Sequence, residues 1–205
     1  MKYDELVPKE TIEKVIASLK ERNHLPEFVE TRAEALEIIK KLIPKGASVM
    51  NGSSRTLDEI GFIQYLKIGK HGWNNLHEAI LAEKDPVKKA ILRKQSVLSE
   101  FYLGSTHAIS ETGEIVIASN SGSQLPHLVF TSQNLILVVG AQKITPDLDS
   151  AIARLKGYVL PLEDKRMKDA GMGGSFISKM LIINKEQPYM GRKSHIIFVN
   201  ERLGF

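Results

Sequence analysis

The stretch Ala47-Ser-Val-Met-Asn-Gly-Ser-Ser54, continued by Thr56 to Tyr65, reads as a short buried strand, a small polar turn and a helix. The same alternation recurs on either side. Upstream, Lys9 to Asn23 carries Ile12, Val15, Ile16 and Leu19 at helical spacing and stops at His24-Leu-Pro26. Phe28-Val29 reads as a short strand. Arg32 to Leu42 reads as a second helix, opened by Thr31 with Glu34 as its capping-box partner and ended by Pro44-Lys-Gly46. Downstream, Asp85-Pro86 starts a helix, because Asp caps free N–H groups and Pro has none to leave unpaired. Its apolar positions Val87, Ala90, Ile91, Val97, Leu98 and Phe101 follow the helical period, interrupted by Lys94. Ser105 to Ser110 and Glu114 to Ala118 read as strands, with a polar loop and the stretch Leu125 to Phe130 after them. Leu135 to Val139 is the clearest buried strand and Gly140 ends it. Thr145-Pro146 opens a helix through Leu155, and His195 to Val199 is the last strand. Residues 157–193 show no consistent pattern. The class implied is α/β, a largely parallel sheet with helices on both faces. It forms one domain over residues 1–205, with an N-terminal helical segment over about residues 1–45.

Composition narrows the function. With 205 residues, 42% hydrophobic and 25% charged, the chain can build one full core without staples. No apolar run is long enough to span a membrane. The first eight residues carry acids where a secretory signal would be basic, so a cytoplasmic protein is expected. The absence of cysteine removes disulfides, thiolate nucleophiles, and Cys-ligated zinc or iron–sulfur clusters from this chain. The net charge of +4 is spread through segments that also carry Glu and Asp, which reads as a solvated mixed surface. Neither a nucleic acid nor a membrane is expected as partner. The six histidines include no pair spaced four apart, so no metal site is expected; Trp73 reads as a core or rim aromatic.

Ligands of parallel sheets sit outside the carboxyl ends of the strands, which singles out three turns. Asn51-Gly52-Ser53-Ser54 offers backbone N–H groups, hydroxyls and a helix start to an anionic group, although a capped helix with a tight turn needs no ligand. Glu111-Thr112-Gly113-Glu114 places a carboxylate, Glu111, where a nucleophile or general base could stand, with His107 four residues earlier on the same strand side. A plain hairpin turn with solvated acids explains the same letters. Gly140-Ala-Gln-Lys143 follows the central strand and supplies Lys143 as a point charge for an anion; a surface lysine is the alternative.

The order of these motifs resembles the lactate-utilisation (LUD) domain family, of the lactate utilisation protein C type. The likeness runs from about residue 10 onward. It rests on Asn51 to Ser54 with Glu59-Ile-Gly61, on Thr106 to Ile115, on Val138 to Ile144 with Asp147 to Arg154, and on Ile197 to Phe205. The resemblance implies a Rossmann-like sheet similar to the phosphosugar isomerase and CoA-transferase superfamily. It also implies a role in oxidation of L-lactate to pyruvate beside iron–sulfur oxidoreductase partners. The glutamate nucleophile of the CoA transferases carries over by position to Glu111 alone. Two departures stand out: relatives place a cysteine cluster where this chain has Gly171 to Met180, and a glycine-and-arginine loop where it has Ser121 to Leu125. Three roles follow as expectations. The first is an accessory component holding a small anion of the lactate, CoA or sugar-phosphate class. The second is an acyl-transferase-like or isomerase-like enzyme using Glu111, and the third a non-catalytic interaction protein. The sequence names no cofactor, and leaves a homo-oligomer open.

Overall fold

The computed structural model describes residues 3–205; Met1 and Lys2, which open the expected domain, lie outside the described residues. The chain begins with α1 (Lys9–Glu21), β1 (Leu25–Val29), α2 (Arg32–Leu42) and β2 (Ser48–Asn51). α1 buries Ile12, Val15 and Leu19, three of the four residues whose spacing marks it. Thr31 and Glu34 close the capping box at the start of α2 as expected. The helix expected over Thr56 to Tyr65 is instead two: α3 (Arg55–Glu59) and α4 (Phe62–Ile68). Gly61 separates them at φ +80°, a conformation no helix interior holds.

β3 (Asn74–Asn75), α5 (Leu76–Ala82) and α6 (Pro86–Gln95) follow. Asp85 caps α6 through the Val87 and Lys88 amides, yet no residue of this helix is buried. The helix lies on the surface, and the helical period expected to run on to Phe101 ends earlier, with a 3-10 turn at 96–98 and Phe101 in the next strand. Then come β4 (Phe101–Gly104), β5 (Ala108–Ser110), β6 (Ile115–Ser119), a π-helical turn at 127–131, β7 (Asn134–Gly140) and β8 (Ile144–Thr145). α7 (Leu148–Arg154) starts at Asp147, not at Thr145-Pro146, because Thr145 is taken up in β8. α8 (Leu160–Asp169), β9 (Lys179–Ile183) and β10 (Lys193–Val199) complete the chain.

Six strands form one wholly parallel sheet in the order β1-β10-β7-β4-β2-β3. β7 and β10 are interior strands buried nearly throughout, which is why their sequences carry continuous apolar runs. One core gathers Ala35, Ile39, Leu57, Phe62 and Trp73 under α2 to α4. A second joins α1 to a second sheet through Ile12, Val15, Leu19, Ile109 and Ile115, and a third packs Ala151, Leu155 and Val159 against Ala108 and Val116. That second sheet, β8-β5-β6-β9, contains the expected 105–118 hairpin and a strand from the stretch that the sequence left unread.

Candidate functional site

The carboxyl ends of β2, β4 and β7 converge at one side chain. Lys143, in the 3-10 turn after β7, donates from Nζ to Thr56 Oγ1 at 3.0 Å, Ser105 Oγ at 3.0 Å and the Thr106 carbonyl at 3.2 Å. These acceptors belong to the start of α3 and to the segment leaving β4, so one ammonium ties three strand ends together. Lys143 is 3% exposed, which overturns the alternative of a surface lysine. Burial pushes its pKa down to about 7, and Arg154 and Arg55 act the same way, while Glu59 opposes them. Glu59 is thus the carboxylate that acts on this lysine. It holds Arg55 at 3.0 Å and accepts the Gly204 amide at 2.6 Å.

The Asn51–Ser54 turn lies against this centre, since Thr56 belongs to the helix it opens. Ser54 Oγ accepts from the Leu57 amide at 3.3 Å, so that hydroxyl serves as the helix cap. Ser53 is exposed. Asn51 is 2% exposed and its Oδ1 has no hydrogen-bond partner among the described residues, while its carbonyl meets His77 Nδ1 at 3.1 Å. An orphaned buried acceptor is uncommon and costs stability; Gln142 Oε1, in the turn after β7, is another. A side chain at Gly52 would begin 2.6 Å from the Tyr102 hydroxyl, so only glycine lets that ring close over the turn. At Gly140, the end of β7, the Glu201 carbonyl and the Leu203 amide come within 2.8 Å of where a side chain would start.

His107 borders the same centre. Its Nδ1 accepts from the Ala118 amide at 3.1 Å, which leaves the ring hydrogen on Nε2 when the ring is neutral. Burial, then the charges of Lys143 and Arg154, lower its pKa to about 3. Arg154 is fully buried and donates to the His107 carbonyl.

The Glu111–Glu114 turn is built differently. Glu114 receives Ser110 Oγ and Thr112 Oγ1 and pairs with Arg22 at 2.5 Å. Burial raises its pKa, but the hydrogen bonds from Ser110 and Thr112 and the Arg22 charge outweigh it and hold the carboxyl below the usual range. Arg22 also binds the Thr112 carbonyl at 2.7 Å, so Thr112 and Gly113 are stitched to α1. Glu111 engages Thr145 and Ser18 through its backbone. Its side chain lines a cavity of about 240 Å³ with Thr11, Gln142 and Pro146, and Lys143 does not line that cavity. The structure thus brings Asn51, Gly52, Ser53, Ser54, His107, Gly140 and Lys143 around the strand ends and sets Glu111, Thr112 and Gly113 apart. Sequence reasoning assigned no site role to Thr56, Glu59, Tyr102, Ser105 or Arg154. Glu59 and Arg154 lie inside the motifs quoted for the resemblance, which is the signal that could have marked them. Among the described residues no group of three or more His, Asp or Glu could hold a metal ion.

The family model described as LUD domain matches residues 12–199. A crystal structure of a DUF162 family protein from Deinococcus radiodurans superposes with a TM-score of 0.59 at 11% identity, covering 95% of this chain and 99% of that one. At that identity the likeness speaks for the fold. No curated protein matches the sequence.

Proposed function

The chain belongs to the LUD domain family, and from that premise we propose that it is an accessory, ligand-binding component of L-lactate oxidation to pyruvate. In this reading it holds a small anionic ligand at the carboxyl ends of β2, β4 and β7. The observation that carries it is the Lys143 ammonium, buried at the strand ends and set at 3.0 Å from both the Thr56 and Ser105 hydroxyls. In this reading the ligand lies by the exposed Ser53, with the Lys143 charge beneath it. The buried cation supplies the attraction, and the neutral donors around it supply direction without competing charge. Because the chain has no cysteine, thiolate-ligated redox centres in such a system belong to partner proteins.

Calorimetric titration with lactate, pyruvate, acyl-CoA and sugar phosphates tests the ligand, using Lys143→Met as the control. Saturable binding of one class, lost in the variant, supports the reading. Heats indistinguishable from dilution for every class contradict it. Growth on L-lactate after deletion of the gene tests the pathway, and unimpaired growth counts against that part.

The Glu111 cavity favours a second reading, acyl transfer through that carboxylate. Intact mass measurement after incubation with acyl-CoA would show a glutamyl adduct, absent in Glu111→Gln. An unmodified mass removes it.

A further inference from the structure

α6 differs from the other helices in how its charges are satisfied. In α2 and α8 some cations reach a carboxylate three or four residues away, as Lys40 does with Glu37 and Lys165 and Lys168 do with Asp169 and Asp164. α6 carries Lys88, Lys89, Arg93 and Lys94, follows Lys84, and has no acid within it; Asp85 is its cap. Among the described residues none of these five cations enters an ion pair, so the helix presents charge that the fold does not neutralise.

The same helix exposes an apolar stripe. Val87 and Ile91, four residues apart on one face of the helix, are 68% and 49% exposed, and Leu98 in the 3-10 turn that follows is 75% exposed. Leu98 lies in the 3-10 turn that packs against the π-helical turn, where Val129 and Phe130 are 57% and 66% exposed. Aliphatic and aromatic side chains are thus shown to water beside a set of unpaired lysines.

We propose that α6 and these two turns dock the protein on an anionic lipid bilayer. Charge complementarity selects this occupant. A twofold contact with a second copy would set the unpaired cations of one helix against those of the other. A nucleic acid would neutralise the cations but leave the aliphatic stripe unused. A bilayer interface takes both, with apolar side chains entering the acyl boundary and Lys and Arg reaching headgroup phosphates. No helix among the described residues is long and apolar enough to cross a membrane, so the association is peripheral. The proposal is independent of the ligand site.

Co-sedimentation of the full chain with phosphatidylcholine vesicles, with and without phosphatidylglycerol, tests it. The chain is expected to sediment with the anionic vesicles and to stay in solution with the neutral ones. Lys88→Gln with Lys89→Gln should weaken the partition about 25-fold, at roughly fivefold per cation removed. Ile91→Ser should weaken it as well, with circular dichroism and melting unchanged because the side chain is exposed. Lys165→Gln with Lys168→Gln, on α8, should leave it unchanged and guards against a non-specific charge effect. No sedimentation with anionic vesicles, equal sedimentation with neutral ones, or an α8 pair as damaging as the α6 pair would each overturn the proposal. So would a stable dimer that Ile91→Ser dissociates.

Discussion

In the Glu111–Glu114 turn the buried carboxylate, Glu114, has Ser110, Thr112 and Arg22 as partners. In the Asn51–Ser54 turn the buried amide oxygen of Asn51 has none among the described residues, and Ser53 faces water. Both turns follow a strand, both contain glycine, and both are rich in groups that do chemistry. The first spends its polar groups on holding a hairpin against α1, and the second keeps some of them open next to a buried cation. A motif's letters therefore do not distinguish a self-satisfied turn from a receptive one. The partners supplied by distant segments decide it.

Cutting the stitching of the closed turn has the largest expected effect. Arg22→Ala removes the partner of Glu114 and of two carbonyls, Thr112 and Asn184. Stability should fall by about 3 kcal/mol, read by urea unfolding, since three hydrogen bonds from one guanidinium are lost together. Ligand affinity of the folded protein should stay the same; a parallel loss of affinity would join the two turns into one site.

Lys143→Met comes next. Affinity for the anionic ligand should fall at least ~100-fold, equivalent to about 2.7 kcal/mol. Stability should fall by about 1 kcal/mol, because Thr56, Ser105 and the Thr106 carbonyl lose a shared donor, but the variant should stay folded. A variant that unfolds would make Lys143 a structural tie instead.

The pH dependence separates the two turns by the sign of charge each favours. Glu114 has its pKa lowered, so its contribution is present above the ordinary carboxylate value and lost as pH falls below it. His107 has a native pKa of about 3 against 6.5 when unfolded, so the unfolded chain takes up its proton first and stability drops as pH falls from 6.5 toward 3. Lys143, at about 7 against 10.5, makes stability rise as pH climbs from 7 to 10.5. Unfolding curves of His107→Gln should lose the phase that begins near 6.5, and those of Lys143→Met the alkaline rise. Unchanged curves would mean these groups titrate as in the unfolded chain.

Glu111→Gln is the smallest expected effect. Stability should move by less than ~0.5 kcal/mol, as for surface substitutions, and affinity for the anion should be unaltered.

Much of the fold was legible wherever short-range physics governs it. The capping box of Thr31 and Glu34, the Asp85-Pro86 start and the apolar runs of β7 and β10 all act within a few residues. The break at Gly61 was hidden because a single glycine inside an apolar period does not announce left-handed backbone. β9 was missed because it is a half-exposed edge strand, without the alternation of a one-sided strand or the full burial of a central one. The apolar period of α6 gives a face and not what covers it, so its exposure is not legible in the sequence. The site was legible as three turns but not as one centre. Thr56 lies 87 residues from Lys143 in sequence, and that contact is what draws the lysine inward.

The account turns on the claim that the Lys143 ammonium holds an anion at the ends of β2, β4 and β7. Titrating the wild type, Lys143→Met and Glu111→Gln with lactate, acyl-CoA and sugar phosphates in one calorimetric series tests this most directly. The account predicts saturable binding of one class in the wild type and in Glu111→Gln, and its loss in Lys143→Met. Binding that survives in Lys143→Met and disappears in Glu111→Gln would contradict it.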